Sequence, residues 1–253
     1  MNNKIPVGVQ VYSVRDDAKN DFAGTLAAIR KIGYAGVEYA GYYGKTAAEL
    51  RKIQDDLGLK CCGIHTGMDT LMPDKLNATM DYNETLGNKY LIVPWLPAEK
   101  RATLAPWIET AKQFNELAAK VSARGFRVGY HNHHEEFKEM EPGASAWEML
   151  YRHTDASVIM QFDTGNARHG DADPIPYLKR HKGRSVTVHL KPFSKVNPAA
   201  AIGEDELPWK EIFDACEHGG GTEWYIVEHE SDPVSPMNAI TKCFAGLKKL
   251  GKV

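Results

Sequence analysis

No stretch of this 253-residue chain approaches the ~18 consecutive apolar residues of a membrane span, and its start, Met1-Asn-Asn-Lys-Ile-Pro6, has no apolar signal core. No membrane association is expected, and the chain reads as cytoplasmic, or as an exported protein whose signal has been removed. A charge excess is missing too. Lys and Arg number 31 against 33 Asp and Glu, a formal net charge of -2, which leaves no electrostatic handle for nucleic acid or an anionic membrane. Small uncharged or locally neutralised substrates are favoured instead. The four cysteines, Cys61, Cys62, Cys216 and Cys243, lack metal-binding spacing and read as buried free thiols. The first strand is not followed by a Gly-rich phosphate turn, since residues 12–17 contain no glycine, and this argues against an open doubly wound sheet. No linker-like run divides the chain, so a single domain is expected over residues 1–253.

What is present is a repeat of strand then helix. Apolar strands are predicted at residues 6–12, 36–39, 60–65, 90–94, 127–133, 156–163, 185–190 and 224–228. Helices are predicted at 21–32, 46–57, 73–86, 102–124, 145–152, from Asp173-Pro174 onward, 209–218 and 236–250. Thr46 and Gly58 mark the start and stop of one of them. Eight such units, with strands apolar until their C-terminal ends, predict an α/β fold of the (β/α)8 TIM-barrel type, whose wall is buried on both faces.

In such a barrel all eight strand ends open on one face, where the chemistry is placed. The stretch from Arg127 to Phe137 brings His131, His133, His134, Glu135 and Glu136 there; strand alternation points His131 and His133 the same way. Other strands end on Gln10 and Tyr12, Glu38, His65, Pro94-Trp95, Asp163, His189 with Lys191, and Glu228 with Glu230. So many imidazoles and carboxylates in one place cost desolvation unless a cation or substrate joins them. Asp163, His189 and Glu228 supply the mixed O/N donor set of one divalent metal ion, whether Mn, Co, Zn or Mg.

In order along the chain, Glu38, His65, the His131-Asn-His133 stretch, Phe162-Asp-Thr-Gly165, Val188-His-Leu-Lys191 and Tyr225-Ile-Val-Glu228 resemble the sugar phosphate isomerase/epimerase superfamily, the xylose isomerase-like barrels. The likeness runs from Val7 to Leu250. It implies one divalent ion held at the ends of the fifth to eighth strands, commonly by Glu, Asp, His and Glu. Asp163, His189 and Glu228 match the last three. The first does not match: either His131 replaces the glutamate, or Glu136 folds back as the ligand. Glu136 is the expected ligand, because a further carboxylate beside Asp163 suits a hard ion.

The resemblance, to a superfamily whose members also include dehydroshikimate dehydratases, implies a sugar isomerase or epimerase acting on a small sugar or keto-sugar, with a dehydratase or lyase acting on an inosose-like or 3-keto sugar substrate as the alternative. Epimerases of this group use two metal-bound glutamates. An imidazole in the first slot favours a one-base reaction in which a proton α to a carbonyl is removed. His133 and His131 are the candidate proton-transfer groups, with Glu228 and Lys191 as further catalytic residues. Glu38, His65, Trp95, Lys191 and Glu230 are the candidate substrate-binding residues. The DNA-repair endonucleases of the superfamily carry a histidine three residues after the aspartate, where this chain has Asn166. A sugar-like small molecule is therefore the expected partner, and homo-oligomer formation or a small partner chain closing the barrel mouth is compatible with the sequence. A non-catalytic sugar-binding barrel is the reading from another class, and the retained donor set argues against it.

Overall fold

Val7 pairs with Tyr225 and Val9 with Val227, and these parallel pairings between the first and last strands close the sheet on itself. The computed structural model describes residues 4–230 and 233–253. In chain order the barrel strands are β1 (Val7–Gln10), β2 (Gly36–Ala40), β3 (Lys60–His65), β4 (Tyr90–Val93), β5 (Arg127–His131), β6 (Ile159–Asp163), β7 (Thr187–Leu190) and β8 (Trp224–Val227), each paired with its sequence neighbours. The expected (β/α)8 architecture is the one observed. Among the described residues, no helix is long and apolar enough to cross a membrane.

Alternation along each strand separates two regions. Outward side chains such as Val37, Leu91, Val128, Tyr130 and Phe162 pack beneath the helices in one continuous core. Fully burying an aliphatic or Phe side chain of this kind contributes about 1.5–3 kcal/mol. Inward side chains at the base form a small apolar plug of Tyr90, Ile92, Ile159 and Val186, with Trp224 against it. Above the plug the interior turns polar, with Gln10, Glu38, Gln161, Thr187 and His189 all fully buried.

Local chemistry sets the helix limits. Thr46 and Glu49 form a reciprocal capping box on the helix Ala47–Leu57, and Gly58 ends it in the left-handed region. The helix expected over 102–124 is two helices, Ala98–Arg101 and Leu104–Ser122. Pro106 lacks an N–H and its ring would crowd the carbonyl of Ala102, so the longer helix can start only just before it. The helix expected from residue 73 starts at Leu76, after a 3-10 turn at Met68–Leu71. The helix Trp209–Ala215 finishes in a π-turn, Cys216–Gly220. A two-stranded hairpin, Glu139–Glu141 with Ala144–Ser145, has no counterpart in the sequence reading.

Candidate active site

Register places the functional side chains. Asp163 lies level with His189 across β6 and β7, while His131 lies level with Gln161 across β5 and β6. Glu228 follows β8 by one residue, and Lys191 follows β7 by one. Asp163 also caps the short helix Thr164–His169, its Oδ1 accepting from the Asn166 amide at 2.6 Å. A Cβ on Gly165 would sit 2.8 Å from Cγ of Lys191, so only glycine lets that lysine pass over the helix start.

Four of these residues, His131, Asp163, His189 and Glu228, are buried and offer one donor atom each, all within 4.8 Å of one another. Asp163 Oδ2 is 3.8 Å from His189 Nδ1 and 4.0 Å from His131 Nε2, and among the described residues it has no hydrogen-bond partner. An unsatisfied buried acceptor costs about 1–3 kcal/mol, more when charged. Burial pushes the Asp163 carboxyl up to about 7, against the pull of Lys191. Burial also holds His131 far below the usual imidazole range, so it is neutral and able to donate a lone pair. Two neutral-capable imidazoles, two carboxylates and one orphaned oxygen fit a divalent cation of the borderline kind.

The charge around this set is balanced tightly. His189 Nδ1 is 2.9 Å from Glu228 Oε2 and its Nε2 is 2.6 Å from Glu38 Oε2. Burial opposes the imidazolium, but Glu38 and Glu228 outweigh it and push His189 up to about 10. Burial likewise opposes ionisation of Glu228, but Lys191 and His189 outweigh it and hold the carboxyl well below its usual range. Lys191 Nζ donates to Glu228 Oε1 at 3.0 Å and to Glu230 Oε1 at 2.7 Å.

Over the set lies a cavity of about 540 Å³, lined by His65, Trp95, His131, His133, Glu228 and Glu230 among others. His65, Trp95 and Glu230, expected to bind substrate, are therefore at the cavity wall. So is Tyr12. His133 joins His131 there as the alternation in the sequence predicts, their ring centroids 5.2 Å apart. Its Nδ1 is buried with no partner among the described residues, and burial pushes the imidazole down to about 4.

Three expectations need correction. Glu136, taken as the fourth ligand, is outside the donor set. Its Oε1 accepts from Tyr130 Oη at 2.7 Å and its Oε2 from the His133 amide at 2.8 Å. Tyr130 points outward from β5 and His131 inward, so a turn that bonds Glu136 to Tyr130 carries it behind the barrel wall. His131, the alternative, stands in the donor set instead, its imidazole held neutral by burial. Glu38, expected to bind substrate, is fully buried below the cavity and bonded to Gln10, Gln161 and His189. Lys191, expected in catalysis and substrate binding, has its ammonium paired with Glu228 and Glu230 instead of facing the cavity directly.

The sequence reading missed Gln161, Thr187 and Asn166. Gln161 and Thr187 stand two residues before Asp163 and His189, hence on the same inward face, and that spacing was the available signal. Asn166 donates to the Asn132 carbonyl at 3.1 Å, and Asn132 in turn bonds the Asp163 backbone at both N and O.

A family model described as xylose isomerase-like TIM barrel matches residues 26–250, and the chain belongs to that family. An inosose dehydratase of Clostridium tetani is 25% identical, covering 91% of this chain and 91% of that protein. The rhizopine catabolism protein MocC of Rhizobium meliloti is 22% identical over 82% of this chain and 74% of its own length. A solved sugar phosphate isomerase/epimerase from Parabacteroides distasonis superposes with a TM-score of 0.84 at 25% identity, covering 99% of this chain and all of that one. Relatives of this superfamily include dehydratases and epimerases, and the chain is an enzyme of the same superfamily.

Proposed function

We propose that this chain is a divalent-metal-dependent enzyme that removes a proton α to the carbonyl of a small keto-sugar or keto-polyol, with loss of a β-hydroxyl as the favoured outcome. The observation that carries this reading is the buried, partnerless Oδ2 of Asp163 enclosed by His131, His189 and Glu228 under an open cavity. A cation held by those four would polarise the substrate carbonyl and acidify the neighbouring C–H.

The chain's own residues supply the rest. His133 lines the cavity with its imidazole held neutral by burial, and that ring accepts the α-proton. The same imidazolium hands its proton to the departing hydroxyl, which leaves as water. Glu228 and Glu230, kept in place by Lys191, accept hydrogen bonds from substrate hydroxyls. Trp95 and Tyr12, half-exposed at the rim, cover apolar ring faces.

Epimerisation requires a proton to return on the opposite face. With an imidazole on β5 in place of a carboxylate, the two cavity-lining carboxylates among the described residues, Glu228 and Glu230, lie close together on one side and share Lys191. Elimination needs no second carboxylate, and the inosose dehydratase relative is in keeping with it. Isomerisation is the second reading, favoured by the likeness to the Parabacteroides distasonis protein. Product NMR in deuterated water with Mn2+ across keto-inositols and keto-sugars tests the proposal. Net loss of water supports elimination, and deuterium entry with carbonyl transposition supports isomerisation. Absence of both across the series, in protein loaded with cation, refutes the α-proton chemistry.

A further inference from the structure

We infer that Glu38 and Gln161 are positioning residues that decide which nitrogen of each ligand imidazole, His189 and His131, is left bare for the cation. This rests on the donor set assigned above.

Glu38 is fully buried and surrounded by donors. Its Oε2 accepts from Gln10 Nε2 at 2.8 Å and from His189 Nε2 at 2.6 Å, with His65 Nε2 at 3.1 Å, while its Oε1 accepts from Gln161 Nε2 at 2.7 Å. An ionised carboxylate only accepts, so the proton between it and His189 must sit on Nε2. That leaves His189 Nδ1, the atom turned toward Glu228 and Asp163, as the one that can offer a lone pair.

Gln161 passes the same instruction to the second imidazole. Its amide nitrogen is engaged by Glu38 Oε1 and by Thr187 Oγ1 at 3.0 Å, so its oxygen must face the other way. There it lies 3.1 Å from His131 Nδ1 and 2.7 Å from His65 Nε2. A flipped amide would set oxygen against the Glu38 carboxylate and is excluded by like partial charges. His131 therefore keeps its proton on Nδ1 and presents Nε2 toward Asp163. One carboxylate thus orders both ligand tautomers, the second through an amide relay. Room for it comes from Gly63, where any Cβ would run into Glu38 Oε1.

A Glu38 that merely fills the barrel interior would influence folding and leave the cation indifferent. Calorimetric titration of metal-free full-length protein with Mn2+ or Co2+ separates the two. Glu38→Gln is expected to weaken binding ~10–100-fold and Gln161→Leu by about tenfold, as other partners of metal-bound histidines do. In the Zn2+-loaded wild type, 15N NMR of the imidazoles is expected to show protons on His189 Nε2 and His131 Nδ1, a readout that needs no variant to fold. Wild-type affinity in both variants, or either tautomer reversed, overturns the inference while the donor set stands. A wild type that binds no divalent ion overturns both.

Discussion

Glu38 and His189 lie 151 positions apart in sequence, yet Oε2 of one and Nε2 of the other meet at 2.6 Å inside the barrel. Neither is exposed. The contact ties the second strand to the seventh and makes the imidazole that faces the candidate cation site part of a buried proton order. Four tests follow from the arrangement above that contact.

Cation affinity should depend on pH in two stages. In the cation-free protein Asp163 is pushed up to about 7 and His189 up to about 10, and both must lose a proton to serve as ligands. The logarithm of the association constant should climb by about two per pH unit below about pH 7, and by about one from there to about pH 9. Calorimetry corrected for competing buffers measures this. A profile flat across neutrality contradicts it.

Asp163→Asn should abolish tight cation binding and stabilise the metal-free protein. An acid whose folded pKa is raised, here from 3.8 to about 7, weakens the fold as pH climbs between those values. Removing the charge should return ~1–3 kcal/mol at about pH 8, while the amide oxygen keeps the cap on Asn166. Chemical denaturation with and without EDTA checks this. A destabilised, metal-binding variant would be the opposite outcome.

Glu136→Gln should behave in the reverse sense. It removes the charged acceptor shared by Tyr130 Oη and the His133 amide and leaves the tyrosine O–H without its acceptor, and should cost about 1–3 kcal/mol of stability. Cation affinity should stay at the wild-type level. A loss of affinity as steep as that of Asp163→Asn would return Glu136 to the ligand set.

His133→Gln should lower turnover ~10²–10⁴-fold with cation affinity intact, because its cavity-lining imidazole is assigned to the proton and not to the metal. The measurement is kcat on the substrate found by the NMR screen, alongside calorimetry of the same sample. Unchanged kcat would assign the proton elsewhere.

Much of the site could be read from single strands. Asp163 and His189 end apolar runs and Glu228 directly follows one, so position alone sends them to the barrel mouth; β-alternation likewise sends His131 and His133 inward together. Glu136 was misplaced because its direction depends on a 3-10 turn, Glu135–Phe137, and on a bond to a tyrosine facing the other side of the wall. Nothing local encodes that choice. Glu38 was read as a rim residue because it stands near the end of β2. The barrel stagger places it level with Gln10 and under His189, a depth that only closure of the sheet determines. The split helix around Pro106 was visible in principle, since a proline at that place forbids the earlier start.

Anomalous diffraction from crystals grown with Mn2+ or Co2+ tests the central assignment most directly. A single strong peak bonded to His131 Nε2, Asp163 Oδ2, His189 Nδ1 and a Glu228 carboxylate oxygen is the predicted result. A cation lodged elsewhere, or none among those four side chains at millimolar metal, would contradict it.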